Sequence, residues 1–221
     1  AAKIVNMRGV ARRKATLRGR EQIATLGHYL RQAREARDRA SLMGIEGAAT
    51  ARYFATWPDL LSDRAGDLEW QGRSRRPPRD IINAMLSYAY ALVAGECLCA
   101  AAAAGLDPRA GFLHAARAGR PALAIDMMEP FRPLIADQAV LAGVNNGQVR
   151  PDLVEETEGG PRFTEDGRRL TLDLVERRLS IPITLPDRSE PISYRAAIGV
   201  QALALATALR DGSPFAAMER A

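Results

Sequence analysis

Apolar positions along the chain recur mostly at helical spacing, and the breaks between them are rich in proline, glycine and acidic residues. Residues 1–40 carry an imperfect helical stripe of Ile4, Leu17, Ile23, Leu26 and Leu30. A second helix is predicted over 41–61, with Ser41 as its cap, Tyr53, Phe54 and Trp57 near its end, and Pro58 closing it. Residues 73–80, RSRRPPRD, read as a basic loop, because paired prolines disfavour helix in the residues before them. The run 81–106 is long enough to span a bilayer. Alanine dominates it, however, and Asn83, Gly95 and Glu96 interrupt it, so the pattern predicts a core helix packed on all sides.

After Pro121 a helix restarts and holds Asp126, Glu129, Arg132 and Asp137. Residues 145–167 are turn-rich and acidic, and 170–179 read as helix because clean alternation is missing. A linker over 182–191 precedes an amphipathic helix over 193–209. No repeat with a period of about 20 to 50 residues is visible. The expected fold is mainly α: one compact multi-helix domain over 1–221. Its parts are a basic first helix (1–40), a core (41–144) and a C-terminal helical region (145–221).

Composition adds two constraints. With 221 residues, 47% hydrophobic and 26% charged, the chain can bury a sizeable core and is not of the disordered class. Of the 31 basic residues only Lys3 and Lys14 are lysine. Eleven bases face three acids within residues 1–40, an excess larger than the whole chain's +5, so the remainder is slightly acidic. Arginine binds phosphate as a fork, which suits a nucleic-acid backbone, although a solvated helix face is the plainer reading of the same charges. Cys97 and Cys99, inside the apolar run, are expected as buried free thiols in a reducing cytoplasm, and no zinc-type spacing occurs. The chain opens without a hydrophobic signal region and reads as starting inside a longer protein.

Candidate chemistry is narrow. Of two histidines, His28 lies on the basic helix with no acidic cluster beside it. His114 lies shortly before Asp126 and Glu129, which at i,i+3 share one helix face. Two carboxylates so placed repel unless a cation sits between them, and a divalent metal with imidazole and carboxylate ligands meets that need. Acid pairs at this spacing also occur on ordinary solvated faces. Glu46, between Gly44 and Gly47, stands where small residues would admit another element, and a carboxylate in such a packed place needs a partner. Glu46, His114 and Glu129, with Asp126 adjacent, would suit one Mg2+ or Mn2+ and so phosphodiester chemistry. The phosphate-loop, dinucleotide, nucleophile-elbow and H-E-x-x-H motifs are all missing from the sequence.

Four blocks carry a family resemblance: AAKIVNMRGVARRKA, GIEGAATARYF, DIINAMLSYAYALV, and DPRAGFLHAARAGRPALAIDMMEPFRPLIAD. In order and spacing the chain resembles the helical C-terminal domain of the CRISPR-associated integrase and endonuclease family Cas1. The resemblance implies Glu46, His114 and Glu129 as metal ligands and catalytic residues, with Asp126 as the adjacent catalytic acid. It places Tyr53, Asn83, Tyr88 and Arg132 around them. Tyr88 is also readable as core filling, and Arg132 as a partner of Asp137. Arg12, Arg13, Lys14, Arg73, Arg75 and Arg76 would hold the DNA backbone. The implied activity is insertion of short foreign DNA into a CRISPR array by transesterification. The alternative is a catalytically silent DNA-binding scaffold subunit. Implied partners are double-stranded DNA (prespacer and repeat), a second copy of the chain, a Cas2 subunit and a Cas4-type exonuclease, fused or separate. A cytoplasmic location without membrane contact is expected. The family's β-rich N-terminal domain has no counterpart in these residues.

Overall fold

One long helix, α4 (Ile81–Ala103), is the axis on which the later helices pack. The computed structural model describes Lys3 and residues 17–66, 68–115, 117–186 and 188–218. Before α4 come α1 (Leu17–Glu35), α2 (Arg39–Ala55) and the single turn α3 (Trp57–Leu60). After it come α5 (Ala122–Met128), α6 (Gln138–Asn145), α7 (Glu165–Leu179) and α8 (Tyr194–Asp211), each touching α4. The fold is mainly α, as the hydrophobic periodicity predicts.

Asp80 caps α4, its Oδ1 accepting from the Asn83 amide at 2.7 Å. Ile82, Met85, Leu86, Ala89, Val93 and Cys97 then bury a face at spacings of three and four. Truncating a fully buried side chain such as Leu86 to alanine costs about 2–5 kcal/mol in such a setting. The expectation of packing on all sides fails toward the C-terminal end, where Leu98 and Cys99 are exposed. Only Cys97 is a buried thiol. Burial, with Glu96 adding to it, pushes its pKa up to about 12. Among the described residues α4 is the one helix long and apolar enough to cross a membrane.

Several elements differ from the sequence reading: the first helix ends at Glu35, and the helix expected over 170–179 begins at Glu165. Asp38, rather than Ser41, caps α2: its carboxylate accepts from the Ser41 amide and hydroxyl at 2.8 Å each. A carboxylate satisfies the free amides of the first turn and also faces the positive end of the helix dipole. The predicted helix over 41–61 breaks at Thr56 into α2 and α3. The turn-rich segment 145–167 contains an antiparallel hairpin, β1 (Val154–Thr157) with β2 (Gly160–Phe163). Gly160 has φ +94°, and a Cβ there would strike the Pro78 carbonyl, so glycine lets the hairpin lie against the 73–80 loop. The linker over 182–191 is closed by the two-residue pair β3 (Pro182–Ile183) and β4 (Ile192–Ser193).

One hydrophobic core runs from Leu26 on α1 to Met218 beyond α8, through Trp57, Phe131, Ile135 and Tyr194. Past Gly212 the chain turns back, and the Met218 amide donates to Gln201 Oε1 at 2.7 Å. That return lays residues 216–218 along one wall of the cavity described next.

Candidate functional site

Proline sets the local geometry of the acidic segment. Pro130 cannot donate a helical hydrogen bond, so α5 stops at Met128 with Glu129 as its last, half-in residue. The chain resumes at Pro133 as a wide turn, 133–137, before α6. A wide turn of this kind inserts one residue and redirects the side chains after it. Here it turns Asp137 into the core.

Glu129 and, from α2, Glu46 line one cavity of about 820 Å3, together with Lys3, Pro130, Pro133 and Gln201. The two carboxylates meet at Arg132. Its Nη1 donates to Glu129 Oε1 at 2.8 Å, and its Nη2 lies 3.7 Å from Glu46 Oε1. Lys3 Nζ donates to Glu46 Oε1 at 3.2 Å and contacts the Thr50 hydroxyl, which itself donates to the same carboxylate oxygen at 2.5 Å. The charge around the two expected ligands is therefore close to balanced, two carboxylates against two cations. Burial raises the pKa of Glu46, but the Lys3 ammonium, the Thr50 hydroxyl and Arg132 together hold it below the usual carboxylate range. Burial and the Arg132 charge lower that of Lys3 against the opposing pull of Glu46 and Glu129. Gly44 and Gly47 do not act as expected, because a Cβ at either would meet open space.

His114 and Asp126 form a separate unit. Asp126 Oδ2 accepts the amides of Phe112 and Leu113 at 2.6 and 2.8 Å, and Oδ1 accepts that of His114 at 3.1 Å. The same Oδ1 lies 2.5 Å from His114 Nδ1. Asp126 thus folds the 112–114 loop around itself and aims the imidazole, leaving Nε2 as the ring's other donor atom. Asp126 and Glu129, three residues apart at the end of α5, turn their carboxylates to different partners. Asp126 borders an apolar cavity lined by Phe112, Leu123 and Met127, whereas Glu129 borders the charged one.

As a donor set, two carboxylates and an imidazole suit Mg2+ or Mn2+. In position they fall short. Among the described residues no three His, Cys, Asp or Glu side chains come together closely enough to hold an ion. The oxygens that would bind it are turned to Lys3 and Arg132.

On the inner side of Arg132 is a closed cluster. Buried Asp137 accepts from Tyr53 Oη at 2.9 Å and Tyr90 Oη at 2.6 Å. Burial raises the pKa of its carboxyl despite these bonds and Arg132. The guanidinium carbons of Arg132 and Arg73 lie 5.1 and 5.4 Å from the Tyr90 ring centre. Tyr53 therefore joins this network together with Tyr90, whereas the ring of Tyr88 neighbours Phe163. Arg132 pairs with Glu129 rather than hydrogen-bonding Asp137.

Asn83 pins the basic loop. Its Oδ1 accepts from Arg73 Nη1 and the Ser74 amide, each at 2.9 Å, and its Nδ2 donates to the Gly72 carbonyl at 2.8 Å. Arg73 also donates to Ser87 Oγ at 3.1 Å, so its guanidinium is turned inward, whereas Arg75 and Arg76 are exposed. Arg12, Arg13 and Lys14 lie outside the described residues. Sequence reasoning passed over Lys3, Thr50 and Tyr90. The i,i+4 spacing of Glu46 and Thr50 was the one available signal for these partners.

Residues 1–177 match the family model described as CRISPR associated protein Cas1. A CRISPR-associated exonuclease Cas4/endonuclease Cas1 fusion of Geobacter sulfurreducens is 43% identical over 224 residues, covering 96% of this chain and 40% of that protein. A CRISPR-associated endonuclease Cas1 of Thermus thermophilus is 40% identical over 184 residues, covering 83% of this chain and 54% of its own. The chain thus spans less than two thirds of either relative. A solved Cas1 protein from Thermotoga maritima superposes with a TM-score of 0.80 at 27% identity, over 99% of this chain and 65% of that one. A cavity holding two carboxylates at the junction of α2 and α5, on a helical scaffold matched over nearly its whole length, sits in a chain that belongs to the CRISPR-associated Cas1 family.

Proposed function

We propose that this chain carries the catalytic domain of a DNA integrase and endonuclease that inserts short foreign DNA into a CRISPR array. The observation that supports it most is the meeting of Glu46 and Glu129, from helices distant in sequence, in one cavity of a Cas1-family fold. Relatives named as Cas1 endonucleases supply the reaction class. In transesterification the 3′-hydroxyl oxygen of the incoming strand bonds to a phosphorus of the repeat and the existing 3′-oxygen leaves. One P–O bond forms as another breaks, so no energy source is consumed.

Glu46, His114 and Glu129 are the proposed ligands of Mg2+ or Mn2+, with Asp126 orienting His114 as carboxylates commonly orient ligand imidazoles. Such an ion, when bound, stabilises negative charge on the phosphate. Arg75 and Arg76, exposed on the loop that Asn83 pins, are proposed to neutralise backbone phosphates without reading sequence. Proposed partners are duplex DNA, a second copy of the chain, Cas2 and a Cas4-type exonuclease. A Cas6-RT-Cas1–Cas2 complex and the Geobacter fusion are the similar proteins whose names support the last two. A cytoplasmic location is proposed with them.

The deciding experiment is strand joining of a short duplex into a repeat-bearing plasmid with Mn2+. Replacement His114→Ala should abolish joining while the circular dichroism spectrum and DNA affinity stay close to the parent's. Full joining by that variant would overturn the assignment. The balanced charge around Glu46 favours a second reading, a silent DNA-binding scaffold subunit. Lack of Mn2+ binding that depends on Glu46 would select it.

A further inference from the structure

We infer that residues 213–218 form a detachable strap that shuts the cavity of Glu46 and Glu129, and that a DNA strand must displace it to reach them. The consequence for DNA rests on the reading of this cavity as the joining site; the strap itself does not. Helix α8 gives way at Gly212, whose φ of +64° is left-handed backbone that glycine adopts without strain. The Gly212 and Ser213 amides both donate to the Ala208 carbonyl, and Pro214 bars any further helix. The chain therefore reverses and returns toward the middle of α8. Residues 213–217 are all exposed, and Met218 is the one strap residue that is buried, at 8%. Its amide donates to Gln201 Oε1 at 2.7 Å, and its side chain joins the core. A segment held by a flexible thioether and a hydrogen bond to a side chain opens far more readily than the packed helices beside it.

This weakly held element is a wall of two cavities. Ala216, Ala217 and Met218 line the charged cavity together with Glu46 and Glu129. Ser213, Phe215 and Ala217 line the apolar cavity of about 400 Å3 that Asp126 borders. Ala217 and Gln201 line both, so the seated strap stands between Asp126 on one side and Glu129 on the other. The walls supplied by α2, α5 and α8 are packed into the core and hold their places. Behind the strap Glu129 keeps 22% of its side chain exposed. A phosphodiester carries a sugar on each side, so it meets that carboxylate only where a wall moves. The strap is the wall free to move, and its release opens the two cavities into one groove.

The test reads carboxylate access directly, by carbodiimide coupling of glycine ethyl ester followed by peptide mass spectrometry. Met218→Asp puts a charge into a buried apolar place, which expels the strap. Glu129 should then couple several-fold faster than in the parent. Glu96, 29% exposed in its pair with Arg195 at the other end of α8, is the reference and should not change. Met218→Leu, which keeps volume and apolarity, should couple at the parent's rate. An unchanged Glu129 rate in Met218→Asp overturns the inference, and so does an equal rise at Glu96, which would come from loosening of the whole fold. A second measurement uses the unmodified protein. Hydrogen exchange at the Met218 amide, followed by nuclear magnetic resonance, should quicken several-fold when a short duplex binds, with binding read from fluorescence anisotropy. Bound duplex with unchanged or slower exchange at Met218 overturns the displacement. Failure of any duplex to bind would sink the DNA-joining reading instead, while the coupling rates still decide the strap.

Discussion

Arg132 stands between two carboxylate environments that differ in one physical respect, whether the bonds close. On its inner side Asp137 is fully buried, and two phenols from α2 and α4 donate to it. On its outer side Glu46 and Glu129 face a cavity, where Glu46 bonds to Lys3 and Thr50 and Glu129 bonds to Arg132. Removing a member of the closed group leaves partners that water cannot reach. Removing a member of the open group leaves partners that solvent, a metal or a phosphate can satisfy. The closed group at Asp137 and the open one at Glu129 thus stand about two helical turns apart along the same segment.

The sharpest way to break this division is Arg132→Ala, because that side chain serves both regions. It should cost about 3 kcal/mol in urea unfolding, as expected when a buried ion pair loses one partner. A loss within error of zero would mean that Glu129 is solvated without it. Next, Asp137→Ala strands the hydroxyls of Tyr53 and Tyr90 and should cost about 2 kcal/mol in the same measurement. Little or no loss would show that the inner cluster is as open as the outer one.

Asp126→Asn tests the orienting unit. It weakens the hold on three loop amides and on His114 Nδ1, and should lower Mn2+ affinity about tenfold while Glu46 and Glu129 remain. Unchanged affinity would separate His114 from the metal site. The smallest effect is pH-dependent stability. The carboxyl of Glu46 is held below its ordinary value near 4.5, so its ionised form stabilises the fold above that pH and the contribution is lost as pH falls through the folded value. The melting temperature of the parent should fall more steeply than that of Glu46→Gln below this range. Parallel curves would remove the Lys3–Glu46 pair from the stability balance.

The helices around these groups were legible in the sequence because their signals are local. Alanine-rich periodicity marked α4 and Ser193 marked the start of α8, whereas Pro58, read as a stop, stands in the first turn of α3. Asp38 was missed as a cap because Ser41 offered the same chemistry three residues later, and only the backbone turn distinguishes them. The β1–β2 hairpin was missed because four-residue strands of charged and small residues carry no alternation to read.

At the site, residue types were readable and assignments were not. The family motif picked out Glu46, His114, Asp126 and Glu129, and two of these, Glu46 and Glu129, share a cavity. That Asp126 turns to loop amides while Glu129 turns to Arg132 follows from where Pro130 ends α5 and from what folds against each face.

By itself the chain of residues determined a mainly helical fold, its principal helices and the identity of the groups available for chemistry, because periodicity, capping and proline act within a few residues. Only the tertiary structure decided that Tyr90 rather than Tyr88 joins the buried carboxylate, that Arg73 turns inward, and that Lys3 neutralises Glu46. Those choices depend on distances between segments brought together by the whole core, and the energy of a charge is set by the neighbours it meets there.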